Sequence, residues 1–129
     1  MKISEGEIHG VPLLVIEGEF EHSSKQEARD AVEAILRGAF PPQNLLIDLG
    51  ECTYLDSGGL GVLFSALREL PDEGWLGLVG VTPEVKRILT YAGLLDMRRV
   101  HFLSSTSEAA ASLARESFLP LATESDPEE

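Results

Sequence analysis

Apolar positions near the start of the chain predict two paired strands. Residues 11–20 (VPLLVIEGEF) are rich in apolar and β-branched side chains, and residues 3–8 alternate more weakly. These patterns predict two strands that meet near residues 9–10. Because Pro12 has no backbone N–H to donate, we expect it at an edge or at a strand start.

A change to helical spacing follows. The stripe that predicts a helix over residues 23–37 consists of Ala28, Ala31, Val32 and Ile35. Ser24 followed by Glu27 is a capping-box pattern and predicts where the helix begins. Gly38 fits the position just past the helix end, and the prolines at 41–42 prevent its continuation.

The rest of the chain alternates short apolar runs with helical stripes. Residues 45–49 (LLIDL) are almost continuously apolar, which is typical of a parallel strand covered on both faces. The elements predicted after it are a helix over 57–70, a strand over 75–81, a helix over 82–93, a strand over 100–102 and a helix from 105 to about 118. This order predicts an α/β fold with a mixed, mostly parallel sheet of four to five strands, about four helices and an antiparallel first strand.

Composition limits the class of protein. The chain has 129 residues, of which 43% are hydrophobic and 25% charged, and this indicates one globular domain. Its net charge of −12 predicts repulsion from nucleic acid and from anionic membrane surfaces. We predict a domain over residues 1–118 and a disordered acidic tail over 119–129.

The location expected from the sequence is the cytoplasm. No apolar run approaches the roughly 20 residues that span a bilayer, so we expect no membrane insertion. The first residues, MKISEGEIHG, lack the basic and apolar regions of a signal peptide. The single cysteine, Cys52, can form no internal disulfide, which favours a reducing compartment. Nothing in the sequence demands more than a monomer.

The stretch CTYLDSGGLG, residues 52–61, carries the candidate chemistry. It follows an apolar run and opens a helix, and loops after strand ends collect functional groups in open α/β sheets. Asp56 and Ser57 are both candidate N-caps, so if Asp56 caps the helix the hydroxyl of Ser57 is left free. Two glycines at 58–59 predict either a close approach to the backbone by another molecule or tight packing of this turn on the sheet.

Catalysis by this serine is the weakest of the interpretations. A nucleophile elbow has glycine two residues before the serine, and Leu55 stands there instead. Nothing in the sequence ties His9, His22 or His101 to Ser57 as a base. There is no Walker A or GxGxxG pattern and no metal-ligand spacing, so we predict no enzyme activity, no cofactor and no metal.

The second helix divides into two predicted faces. The face expected in the core contains Leu60, Leu63, Phe64, Leu67 and Leu70. The opposite face contains Gly58, Val62, Ser65 and Glu69. An exposed Val62 one turn beyond Ser57 is either part of a docking surface or a scattered surface valine.

The segment LLIDLGECTYLDSGGLGVLFSALREL resembles the signature of STAS domains, in particular of bacterial anti-sigma factor antagonists. The residues that match the signature are Asp48, Asp56, Ser57, Gly59, Leu60 and Gly61. The resemblance implies a STAS fold and a switch by phosphorylation of Ser57. The implied kinase is the anti-sigma factor itself, an ATPase related to histidine kinases. The unphosphorylated antagonist binds it, the phosphorylated antagonist releases it, and a phosphatase resets the switch.

The resemblance also implies a docking surface. We expect the partner to contact Glu21, Asp56, Ser57, Gly58, Gly61, Val62 and Ser65. Two positions depart from the family pattern. Gly58 stands where a second Ser or Thr is usual, and Glu21 stands where many members have Asp. Three alternatives remain: an accessory subunit of a membrane transporter, a small nucleotide- or ligand-binding sensor, and, most distantly, a serine hydrolase.

Overall fold

A computed structural model of the chain describes residues 1–115. Its strands are β1 (Lys2–Ile8), β2 (Val11–Phe20), β3 (Leu45–Asp48), β4 (Cys52–Leu55), β5 (Leu76–Val79) and β6 (Val100–Leu103). Its helices are α1 (Lys25–Leu36), α2 (Ser57–Glu69), α3 (Pro83–Tyr91) and α4 (Thr106–Arg115), with one 3-10 turn at Leu94–Asp96. The tail predicted over 119–129 and the last residues of the predicted final helix lie outside the described residues.

The sheet has the predicted α/β character but more strands than predicted. Five strands follow the order β1-β2-β3-β5-β6, and β4 pairs with β2 off this path. β1 is antiparallel to β2, as expected, with Ile3 opposite Ile16. The remaining pairs are parallel. The sheet therefore has six strands in the described chain, and the prediction of four to five is corrected by β4.

The segment before Ser57, which the sequence indicated was a loop, forms the strand β4. Cys52 and Leu55 are buried whereas Thr53 and Tyr54 are exposed, so the strand lacks the alternation by which strands are recognised. It pairs with the end of β2, where Leu55 lies opposite Phe20. Because β4 runs directly into α2, the carboxyl end of a paired strand fixes the start of the helix that carries Ser57.

Helices cover both faces of the sheet. The larger core cluster joins the sheet to α1, α2 and α3, with Ile47 from β3 and Leu63 from α2 among its fully buried members. A second cluster on the other face joins Leu46 and Trp75 to Ala109 of α4. Neighbouring residues of β3 thus contribute to opposite faces, which explains why its first three residues are all apolar.

The helix ends follow the sequence signals with one exception. Thr82 caps α3 by accepting the N–H of Val85 at 3.3 Å, and Gly93 ends this segment with a φ of 86°. The capping box predicted for Ser24 does not form. The Ser24 hydroxyl donates to the carbonyl oxygen of Glu19 at 2.9 Å, and it accepts the N–H of Glu21 at 3.1 Å. Ser24 therefore closes the turn between β2 and α1.

Candidate functional site

Asp56 holds the start of α2 and an adjoining loop together. Its Oδ1 accepts the backbone N–H groups of Gly58 at 2.8 Å and Gly59 at 3.2 Å, so Asp56 is the N-cap, as predicted. Its Oδ2 accepts the N–H of His22 at 3.1 Å, across 34 residues of chain. One carboxylate thus joins the turn after β2 to the first turn of α2.

The same contacts favour the charged form of Asp56. Desolvation opposes ionisation, but the backbone donors of His22, Gly59 and Gly58, together with the nearby His22 side chain, outweigh it. The pKa of Asp56 is therefore held below the ordinary value for an aspartate. The cap is a stable negative charge next to Ser57.

Ser57 is exposed and carries a free hydroxyl. It is the first residue of α2, and within residues 1–115 its hydroxyl makes no hydrogen bond. Because Asp56 supplies the cap, Ser57 is not needed for that role. A helix N-terminus favours negative charge, so a phosphate on this hydroxyl is compatible with the fold.

Glu21 lies on the turn that Asp56 holds. Its backbone N–H is bound by Ser24, and its carboxylate accepts the hydroxyl of Ser23 at 3.2 Å. His22, the next residue, donates to Asp56. The structure therefore brings Glu21, Asp56 and Ser57 together at the carboxyl ends of β2 and β4.

The buried arc of α2 differs from the predicted one. Its buried residues are Gly58, Gly59, Val62, Leu63, Ala66 and Leu67. Val62 is 1% exposed, so its predicted place on a docking surface is wrong. Val62 belongs to the larger core cluster, and α2 packs against α1 as well as against the sheet.

Two apolar residues take the place of Val62 beside the serine. Leu60 and Phe64, both predicted to be core residues, are only half-buried. They lie three and seven positions after Ser57, and Gly61 lies between them, so the three share the outer side of the helix with the serine. Ser65 is also half-buried at this side. Helical spacing counted from Ser57 would have found Leu60 and Phe64.

Gly58 makes room for the chain itself rather than for a partner. It is buried, and a Cβ added there would lie 2.7 Å from the Cα of His22 and 2.9 Å from its backbone nitrogen. Of the two interpretations given for the glycines at 58–59, tight packing therefore applies to Gly58, and its neighbour is the turn at 21–24. At Gly61 an added Cβ would meet nothing within 4 Å, so that position is open.

Comparison with known sequences identifies the family. Residues 8–104 match the sequence model of the family described as "Mlab, STAS domain". The chain belongs to the STAS domain family. A STAS-domain containing protein of Pseudomonas aeruginosa is 32% identical over 87 residues, which span 66% of this chain and 82% of the relative.

Solved STAS structures confirm the predicted fold. The anti-sigma factor antagonist SpoIIAA in its unphosphorylated form is 19% identical, with a TM-score of 0.65 over 88% of this chain and 98% of SpoIIAA. The Bacillus SpoIIAA in its phosphorylated form is also 19% identical, with a TM-score of 0.66 over 87% and 99%. A sulfate transporter family protein from Wolinella succinogenes is 18% identical, with a TM-score of 0.68 over 85% and 90%.

The STAS fold separates Ser57 from two of the three histidines. His9 lies in the hairpin before β2, and His101 lies near the start of β6, both at the amino edge of the parallel strands. Ser57 follows the carboxyl end of β4. His22 is near the serine, but its described hydrogen bond is made by the backbone N–H to Asp56. The described residues contain no serine–histidine hydrogen bond at this site.

The described part of the STAS domain offers neither a metal cluster nor a membrane-spanning helix. Among the described residues, no group of three or more His, Cys, Asp or Glu side chains is placed to hold a metal ion. Over the same part of the chain, no helix has both the length and the apolar character required to cross a membrane.

Restoring the family's usual hydroxyl residue at position 58 should disturb this STAS domain. We expect Gly58→Ser to lower the free energy of unfolding by roughly 1–2 kcal/mol, in the lower part of the range for overpacking because an exposed turn can yield. Urea denaturation measures the change, and Gly61→Ser at the open position is the matched control. Equal stability of the two variants would contradict the close packing between Gly58 and His22.

Proposed function

We propose that this STAS protein is an anti-sigma factor antagonist that works by phosphorylation-controlled partner switching. The observation that carries the proposal is the free, exposed hydroxyl of Ser57 directly after a capping aspartate. The antagonist SpoIIAA, which has the same fold, exists in an unphosphorylated and a phosphorylated form. The partner proposed here is an anti-sigma factor with serine kinase activity, of the histidine-kinase-like ATPase type, and a phosphatase reverses the modification in the cytoplasm.

The proposed docking surface consists of Ser57, Leu60, Gly61, Phe64 and Ser65 on α2, with Glu21 beside them. Half-buried Leu60 and Phe64 give it apolar area, which supplies most of the affinity in protein interfaces. The small residues Gly61 and Ser65 keep the helix backbone accessible. This surface differs from the predicted one in three ways. Leu60 and Phe64 take the places of Val62 and Gly58. Asp56, whose carboxylate accepts three backbone N–H groups, supports the surface from below as the cap of α2.

The charge on a phosphate explains how the switch would act. Phosphorylation adds about −1.5 to −2 charges at Ser57. The helix N-terminus offsets part of this charge within the domain, by roughly 0.3–1 kcal/mol. In a complex the same charge is placed next to Asp56 and inside the docking surface, where like charges cost several kcal/mol. The modification therefore breaks the complex without unfolding the domain.

Replacing Ser57 by aspartate tests the proposal. We expect wild-type protein to retain an ATPase kinase from the lysate of its own cells, and Ser57→Asp to bind the purified kinase at least about tenfold more weakly, a loss of roughly 1.4 kcal/mol. Ser107→Asp is the matched control, because it places the same charge in the first turn of α4. Mass spectrometry after incubation with kinase and ATP should find phosphate on Ser57. Equal binding of Ser57→Asp and wild type would contradict the switch.

An accessory role in a membrane transporter is the second candidate. The fold is shared with the sulfate transporter family protein of Wolinella succinogenes. In that role the domain would bind a cytoplasmic transporter surface and Ser57 would remain unmodified. Retention of the same transporter components by wild type and Ser57→Asp would favour this candidate over the antagonist.

A further inference from the structure

A groove lies between β4 and α3, next to the proposed docking surface. Its volume is about 480 Å³. One wall is formed by Gly50, Glu51, Cys52, Thr53 and Tyr54, and the other by Thr82, Glu84, Val85 and Ile88. Cys52 and Val85 are each 1% exposed, and Ile88 packs partly against the core. The groove therefore has an apolar floor and an open, more polar mouth.

The charges at this mouth are of one sign. Glu51 and Glu84 are exposed, and no Lys, Arg or His lines the groove. Within residues 1–115 neither carboxylate is part of an ion pair. The first turn of a helix favours Glu84, so this acid has a structural explanation. Glu51, on the turn before β4, lies at no helix N-terminus.

The floor of the groove is uncharged, so it does not weaken the preference of the groove for cations. Burial raises the pKa of the Cys52 thiol, and the thiol donates to the carbonyl oxygen of Tyr54 at 3.3 Å. Cys52 therefore adds no charge to the site. A cation that enters the mouth is attracted by two carboxylates and meets a neutral, apolar floor. An anion is repelled by the same carboxylates.

The groove is close enough to Ser57 to be covered by the same partner. Tyr54 is 47% exposed and precedes Ser57 by three residues, a separation of less than about 10 Å along an extended strand. A stable interface buries about 800 Å² on each partner, which corresponds to a patch roughly 16 Å in radius. A protein centred on Ser57 therefore reaches over the mouth of the groove.

We propose that this groove receives a lysine or arginine side chain, flanked by an apolar residue, from the protein that docks at Ser57. The inference rests on the proposed function and adds a second contact to it. The aliphatic stem of the basic side chain packs on Ile88 and Val85, and its charge pairs with Glu51 and Glu84. Arginine is favoured over lysine because its planar head also stacks on the exposed ring of Tyr54. The groove supplies recognition of the partner, and Ser57 controls its release.

Charge reversal at the groove tests this inference with the purified ATPase kinase as the probe. We expect Glu51→Lys to weaken binding at least about tenfold, mainly through slower association, and to do so less at high salt. Glu7→Lys is the matched control, since it makes the same change in net charge opposite Pro12 at the start of β2, whereas β4 pairs with the end of β2. It should change the dissociation constant less than about twofold. Tyr54→Ala should weaken binding without changing its dependence on salt.

The outcomes separate the groove from the switch. If Glu51→Lys binds like wild type while Ser57→Asp is released, the groove proposal is wrong and the switch stands. If Glu7→Lys weakens binding as much as Glu51→Lys, the effect comes from net charge alone and the groove proposal is also wrong. If Ser57→Asp binds like wild type and Glu51→Lys does not, the groove is a partner site and the proposed function fails.

Discussion

Gly59→Ala is expected to lower the free energy of unfolding by about 3 kcal/mol, at the upper end of the range for overpacked cores. A Cβ at this position would lie 2.5 Å from Leu55 Cδ1 and 2.6 Å from the carbonyl oxygen of Phe20. Phe20 is fully buried at the end of β2, where it pairs with β4. Because a paired strand cannot move away as an exposed turn can, the clash is relieved only by displacing α2.

A second glycine in the same helix provides the control. At Gly61 an added Cβ has open space, so Gly61→Ala should stabilise the domain by up to about 1 kcal/mol through helix propensity alone. Urea denaturation of the two variants beside wild type measures both changes. Opposite signs are the expected result. If Gly59→Ala is as stable as wild type, α2 does not pack against Phe20 as closely as the structure shows.

The elements with strong periodicity were predictable from the sequence. The first three residues of β3 are apolar because they enter two different core clusters. The helix α3 is delimited by Thr82 and Gly93, whose cap and positive φ are local properties. β4 was not predictable because its four residues show no alternation. Only its pairing with residues 18–20 of β2, which includes Leu55 opposite Phe20, defines it as a strand.

The predicted site was right about the cap and only partly right about the helix face, on which Leu63 and Leu67 are buried as predicted. Asp56 could be assigned as N-cap because capping depends on the next few residues. The orientation of α2 depends on how closely its neighbours approach, and Gly58, Gly59 and Ala66 permit that approach. Such small residues contribute little to an apolar stripe. Counting large apolar residues therefore placed the core at Leu60 and Phe64 and left Val62 outside.

The hydrogen bond between Asp56 and His22 could not be predicted from the sequence either. Its two ends are 34 residues apart, and the bond forms only because β2 and β4 end side by side. This bond has a functional consequence under the proposed switch. It joins Glu21 and Ser57 into one surface, so a partner that contacts both meets a preformed arrangement and loses less conformational entropy on binding.

Asp56→Ala is expected to be the most damaging single change at the surface of the site. It removes the cap of α2 and the link to the turn at 21–24 together, so the melting temperature should fall by roughly 5–10 °C. Because the folded-state pKa of Asp56 is lowered, its contribution is complete above the ordinary aspartate pKa and is lost as the pH falls through the lowered value. The melting temperatures of the two proteins should therefore differ fully at pH 7, and the difference should shrink as the pH falls below the ordinary aspartate pKa. A pH-independent difference would contradict the role of the charge.

Asp56→Asn separates the two tasks of this side chain. An asparagine has one acceptor oxygen, which can still cap α2, but its NH₂ group faces the N–H of His22 and two donors cannot bond. We therefore expect most of the stability to remain while the backbone amides of residues 21–24 exchange with solvent faster than in wild type. Hydrogen exchange measures this directly, with the first turn of α2 as the internal reference.

Binding of the same Asp56→Asn variant tests whether the partner needs this link. If the kinase still binds this variant as tightly as wild type, the partner does not require the turn and the helix start to be held together. If binding weakens while the helix stays capped, Asp56 acts by positioning Glu21 against Ser57, and the specificity of the switch lies partly in the turn that this carboxylate holds.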